Sequence, residues 1–296
     1  MKTRILKITG ITLCLLVCTI LTAPLLFKGR ITQLVKARLK RDLRAHVNFS
    51  DVNISLFRQF PKIAIGLDNL QITCVGEFQG DTLLTAKLLD IACSPGSLIA
   101  GDSIKVYSIT VNAPRIHALI HKNGHANWDI IKPSAFPDET TGSRAWALKP
   151  QIQNYAIHGG YLEWIDERKD VHAEVFNLEH EGKGNFSSEV FILKTSTTAD
   201  AFRFNSAGPI PCRIDAKTNI DLAGAVNNRT HTWSFNSDRV SFNDLKLHTD
   251  GFFQWVNDSS YNMDIRFKVP STSFKDFLSM LPSVYRKDFA SIETNG

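Results

Sequence analysis

The chain has 296 residues, 43% of them hydrophobic and 21% charged, enough to bury a sizeable core and unlike the composition of a disordered protein. Its formal charge of +5 is unevenly placed, with a net +9 over residues 1–44 and a net −4 over the rest. A mildly acidic body excludes nucleic acid as the expected partner, and a basic segment beside an apolar run points instead to anionic lipid head groups.

Residues 8–27 contain no Asp, Glu, Lys, Arg or His. Twenty helical residues rising about 1.5 Å each reach roughly 30 Å, the thickness of a bilayer's hydrocarbon core. The expectation is a transmembrane anchor over residues 1–29, with Ile11, Leu13, Leu15, Leu16, Val17, Ile20, Leu21, Leu25, Leu26 and Phe27 facing the lipid. A cleaved signal peptide competes with it, because Lys2, Arg4 and Lys7 form a basic n-region; against cleavage, Leu21 stands where a small residue is wanted before Ala23, and Pro24 would follow the cut. The basic residues after the run, taken alone, would hold the C-terminal side in the cytoplasm. The exported β-like body that follows argues the other way, so a single-pass anchor with an exported body is expected.

Ile31, Leu34, Val35, Leu39, Leu43 and Val47 recur at three- and four-residue steps, which predicts an amphipathic helix. Its apolar stripe suits either the following sheet or a membrane surface. Lys28, Arg30, Lys36, Lys40, Arg41 and Arg44 are the candidates for head-group contact. From residue 48 the period becomes two: Val52, Ile54 and Leu56, then Ile63, Ile65 and Leu67, then Leu70 and Ile72. Phe60-Pro61 marks a turn or an edge. Further strands are predicted over 83–93, 104–111 and 115–120, with Asn123-Gly124 supplying the positive φ angles of a tight hairpin and Asn127-Trp128-Asp129 opening a turn that buries Ile130 and Ile131.

Residues 132–150 are rich in Pro, Ser and Thr and have neither period, so a linker is placed there, separating 30–131 from a second β-rich region over 151–296. Within that region Ile214, Ala216, Ile220 and Leu222 alternate with polar residues, as do Tyr261, Met263, Ile265, Phe267 and Val269. This is the pattern of antiparallel strands wet on one side. Weaker strands are read around 161, 175, 192, 203, 234, 242 and 254. Phe274, Phe277, Leu278 and Leu281 return to helical spacing before Pro282, and a sheet ending there would leave an unpaired edge; the expectation is the N-terminal portion of a longer protein.

The chemistry-bearing patterns are sparse. Gly101-Asp102-Ser103-Ile104 imitates an esterase signature whose Ser needs a base and an oxyanion hole, but Asp-Ser before a strand is also ordinary turn chemistry. His117, His121 and His125 would converge on a metal only along a helix, and the Asn-Gly turn separates the third. Asp166, Glu167, Arg168, Lys169 and Asp170 read as a solvated turn. Of the five cysteines, Cys74, Cys93 and Cys212 lie in the body without a CxxC motif, leaving room for one disulfide. No catalytic residue, metal ligand or cofactor is expected.

The chain resembles the AsmA family of bacterial envelope proteins over nearly its whole length. The resemblance lies in Ile54-Ser55-Leu56-Phe57 with Phe60-Pro61, in the stretches 78–87 and 98–104, in Asn112-Ala113-Pro114-Arg115-Ile116, and above all in Lys122-Asn123-Gly124-His125-Ala126-Asn127-Trp128-Asp129-Ile130. It implies a non-enzymatic protein of the AsmA and TamB type, anchored by a single pass in the bacterial inner membrane with its body in the periplasm and akin in architecture to bridge-like lipid transfer proteins: a long, curved, groove-like antiparallel β-sheet concerned with outer-membrane biogenesis and phospholipid movement. Membrane phospholipids are then the expected partners, and the alternating residues Ile214, Ala216, Ile220, Leu222, Tyr261, Met263, Ile265 and Phe267 the lipid-facing candidates. Two alternatives stand beside this reading. The alternation alone fits a closed β-sandwich equally well, and the body could instead bind envelope proteins as an assembly factor that affects their insertion or targeting.

Overall fold

Period-two alternation in this sequence builds one sheet. The computed structural model describes residues 28–29, 31–33, 35–96, 103–132, 147–207, 212–257 and 260–269. Its strands are β1 (Ala45–Asn48), β2 (Asp51–Ser55), β3 (Ile63–Cys74), β4 (Thr82–Cys93), β5 (Ser103–Asn112), β6 (Arg115–Ile120), β7 (Ala147–Asp166), β8 (Val171–Lys183), β9 (Val190–Ser206), β10 (Cys212–Asn227), β11 (Thr232–Phe242), β12 (Leu245–Asn257) and β13 (Ser260–Lys268). All belong to a single 13-stranded sheet in the order β1-β3-β4-β5-β7 and then sequentially to β13, with β2 paired to β3, and β6 to β4 and β7. The sheet runs unbroken across the expected linker, whose last residues, 147–150, already belong to β7.

The sheet is mixed, not purely antiparallel. β5 and β6 follow one another across Ala113-Pro114 and lie between β4 and β7; the 20-residue β7 runs parallel to both, from Ser103↔Ala147 to Ile120↔Asp166. Alternation fixes which face a side chain takes but carries no strand direction, so this pairing could not be read from the pattern.

Several strands are longer than their patterns suggest because their phase slips. Asn69 (φ 50°), Ala113 (φ 47°), Gly159 (φ 62°), Asn177 (φ 49°) and Asn243 (φ 53°) are all left-handed. They fall on one line across the sheet, tied by Ala113 N–H to the His158 carbonyl (2.7 Å), Gly159 N–H to Glu179 Oε1 (2.7 Å), Asn177 Nδ2 to Asp200 Oδ2 (2.8 Å) and Lys217 N–H to Asn243 Oδ1 (2.7 Å). Irregular registers between Ile157 and Leu162 and between Ala216 and Thr218 lie on the same line. Ala113 lies between β5 and β6 and Asn243 in the β11–β12 turn; inside a strand an irregularity moves the apolar positions by one residue, as in β3, where Ile63, Ile65 and Leu67 give way to Leu70 and Ile72. The patterns at 192 and 203 are therefore one strand, β9. Those at 234 and 242 are one strand, β11, broken by a shift between Ser237 and Val240.

The described residues between 28 and 42 are helical (α1). Ile31, Val35 and Leu39 pack on a core of Phe49, Val52, Ile65, Leu67, Leu70, Ala86 and Cys93, so the apolar stripe of the helix is spent on the sheet. A second cluster joins Cys74, Phe78, Leu83 and Leu119, with Ile130 against it. Asn127, 2% exposed, extends β6 by its side chain: Oδ1 accepts from Leu119 N–H (3.0 Å) and Nδ2 donates to the His117 carbonyl (2.8 Å). Ile131, expected inside, is 52% exposed, because its backbone bridges to Leu43 at the sheet margin. Only Gly124 of the Asn-Gly pair has positive φ, and the turn closes on a single Ile120–Ala126 bridge, not on a second strand. Asp166 is buried, against the expectation of a solvated turn, because Arg168 folds back on it through Nε (3.0 Å) and Nη2 (2.8 Å). Cys74 and Cys93 are buried free thiols, and burial pushes Cys93 up to about 12.

Among the described residues no helix is long and apolar enough to cross a membrane. The anchor positions Ile11 to Phe27, Arg30, the Gly101-Asp102 turn and the helix expected at 274–281 lie outside the described residues.

Candidate functional site

The register sorts the side chains of the second half of the sheet onto two unlike faces. Ile214, Ala216, Ile220 and Leu222 stand opposite Phe204, Phe202, Thr197 and Thr195 of β9. Ile220 stands opposite Val240 of β11, which stands opposite Leu247 of β12. Val226, Trp233, Phe253 and Met263 form a second row from β10 to β13. Tyr261, Met263, Ile265 and Phe267 face Trp255, Phe253, Gly251 and Thr249. All eight residues singled out from the alternation thus lie on one face. The same face continues through Val175, Leu162 and Ile157 to the strands that α1 covers.

From β7 to β13 the principal contacts of each strand are with its hydrogen-bonded neighbours. No second sheet packs on the apolar face among the described residues, which rules the closed sandwich out for them. Yet Ala216 is 1% and Val240 5% exposed, while Lys217 and Asn219 on the other face are exposed. Ala216 stands opposite the much larger Phe202, and Val240 lies between Ile220 and Leu247, so lateral neighbours on the same face cover them. Toward β13 the cover thins, and Met263 and Phe267 are 58% and 63% exposed.

Polar groups interrupt this face: Thr218, Ser237 and Thr249 are buried on it, and His180 joins a polar cluster. His180 contacts Thr197 Oγ1 through Nδ1 (2.8 Å) and the Tyr155 hydroxyl through Nε2 (3.2 Å). Burial lowers the His180 pKa and raises that of Tyr155. The ring of Tyr155 is also edge-on to Phe186, with centroids 5.8 Å apart. These residues escaped the sequence reading because only the register of β7, β8 and β9 brings them together.

The other sequence candidates are dispersed. His117 pairs with Glu163 (2.9 Å), His121 with Glu167 (3.1 Å) and His125 with Glu77 (2.6 Å), so the three histidines share no site. Among the head-group candidates, Lys28 is tied to Asp51 (2.7 Å), whose carboxyl it holds below the usual range, and Arg41 to Asp42 (2.9 Å). Lys36 sits 5.4 Å from the Phe49 ring centroid. Lys40 is exposed, and its carbonyl accepts from Lys132 Nζ (3.0 Å); Arg44 joins its backbone N–H to Ile130.

No curated protein matches this sequence. A model of the AsmA family matches residues 1–254, most of the chain. Matched over most of its length and predominantly β, the chain belongs to the AsmA family.

Proposed function

We propose that this protein is anchored in the bacterial inner membrane, holds its body in the periplasm, and serves outer-membrane biogenesis by shielding phospholipid acyl chains on its apolar face between the two membranes. The observation that carries the reading is the continuous apolar face from β7 to β13, with no layer packed upon it among the described residues. Each buried CH₂ of an acyl chain contributes about 0.8 kcal/mol, so a few strands' width of this face retains a chain without any specific bond. Membership of the AsmA family supports an envelope role. Lipid moves along the face and no bond is made or broken. The exposed basic residues of α1, led by Lys40, face head groups at the membrane end.

Photoreactive side chains placed at Leu222 and Ile265 of the full-length protein test the proposal in intact cells. Phospholipid adducts are expected at both, and none at Asn219 or Asp264 on the opposite face. Adducts to protein alone, or lipid adducts equal on the two faces, would overturn it in favour of an assembly factor that binds envelope proteins.

A further inference from the structure

The opposite, polar face of β7 and β8 gathers a second set of groups. His172 and Glu174 are two residues apart on a strand, which sends both to one face. The register sets Glu174 directly opposite Glu163 and puts His172 opposite Ile165, one step along. Two carboxylates facing each other on adjacent strands repel. Glu163 is stabilised by His172 Nε2 on Oε1 (3.0 Å) and His117 Nδ1 on Oε2 (2.9 Å); among the described residues Glu174 accepts from the Tyr161 hydroxyl alone (2.9 Å). Among the described residues no lysine or arginine nitrogen lies within 4.0 Å of either carboxylate. Two neighbouring arginines are engaged otherwise, Arg115 over the Tyr161 ring (4.8 Å) and Arg203, opposite Glu174, over the Phe176 ring (4.6 Å) with its Nε 3.9 Å from Asp215.

We propose that Glu163, His172 and Glu174 bind one divalent transition-metal cation that bridges β7 and β8 on the polar face. One oxygen from each carboxylate and one imidazole nitrogen lie within 4.8 Å of one another. Ligands about 2.0–2.2 Å from a metal sit roughly 3–4 Å apart, so small rotations of half-buried side chains complete the set. A cleft of ≈ 240 Å³ bordered by His172, Glu174, Arg203, Asn205, Arg213 and Asp215 leaves room for water to fill the remaining positions. An imidazole among carboxylates suits zinc or manganese better than calcium or magnesium, which favour all-oxygen shells. His117, on the far oxygen of Glu163, fixes that carboxylate as an outer partner does in metal sites. The cation replaces the repulsion between Glu163 and Glu174 by mutual attraction, and it does so where parallel pairing gives way to antiparallel pairing.

Titration of the untagged full-length chain in detergent with zinc chloride tests the site. Calorimetry should show one saturable site per chain and a raised melting temperature, and cobalt in its place should give a visible ligand-field spectrum. His172→Ala and Glu174→Gln should each weaken binding at least about tenfold, the effect of losing one ligand or its support. His121→Ala and His125→Ala should leave it unchanged. Because Glu174→Gln removes a like-charge contact, its metal-free form should melt no lower than the parent, which separates lost ligation from lost folding. Absence of saturable binding, or binding undiminished in both ligand variants, would overturn the site. Neither result bears on lipid adducts at Leu222 and Ile265.

Discussion

The phenol ring of Tyr155 lies over the backbone of Gly182 on the neighbouring strand, in the volume that a Cβ at position 182 would occupy. The contact packs an aromatic side chain flat against the apolar face and delivers its hydroxyl to His180. Gly182→Ala should therefore cost about 1–3 kcal/mol, as overpacking does in a filled site. In the Tyr155→Ala background the same change should cost much less, and denaturant unfolding of the two single variants and the double variant measures that difference.

Asn127→Ala should be among the most damaging single changes outside the apolar core. It strands a buried N–H at Leu119 and a carbonyl at His117, a loss of about 2–4 kcal/mol. Thermal or denaturant melts read the effect directly, and a change under about 0.5 kcal/mol would contradict the bridging role given to this amide.

The pH response of His180 has a definite sign. Burial holds its folded pKa below the ordinary 6.5, so the unfolded chain takes up this proton first as the pH falls. The stability it contributes is complete above 6.5 and is lost as the pH drops from there through the lowered folded value. Between about pH 7.5 and about pH 5 the parent should lose more stability than His180→Asn, whose side chain does not titrate in that range. Histidines paired with carboxylates, such as His125 with Glu77, are common to both proteins and cancel in the comparison.

The opposition of two unlike faces was legible within each strand and illegible between strands. Ile214 to Leu222 and Tyr261 to Phe267 announced one apolar face apiece, but only the pairing through Val226, Trp233, Phe253 and Met263 makes them the same face. β5 and β6 were readable almost to the residue because their apolar positions stay in phase up to Ala113. β9 and β11 read as two strands each because a bulge resets the phase inside them. The spacing of His172 and Glu174 was open to inspection; the carboxylate opposite them, 11 residues earlier at Glu163, needed the turn at Asp166 and Arg168 to place it.

A single charge on the apolar face should weaken lipid capture selectively. Ile265→Glu removes contact with about two acyl CH₂ groups at about 0.8 kcal/mol each, roughly a tenfold loss of affinity before any desolvation of the carboxylate is counted. Asn219→Glu, on the exposed opposite face, should change nothing. The yield of phospholipid adducts from a photoreactive group at Leu222, compared between these two variants, checks the contrast.

The orientation of the chain is open to a direct readout. A reporter active only outside the cytoplasm, fused after residue 150, should be active if the body is exported. The same reporter silent, with a cytoplasmic reporter active at that point, would contradict the exported body despite the basic flank that begins at Lys28.

The line of left-handed residues from Asn69 to Asn243 crosses the strands instead of following them. A bend repeated at one level in successive strands folds a sheet into a gutter whose axis runs from strand to strand. Its cross-section is then set by strand length and by where the bend falls, its length only by how many strands are added. The two dimensions are independent, so such a gutter lengthens one hairpin at a time without any change of bore.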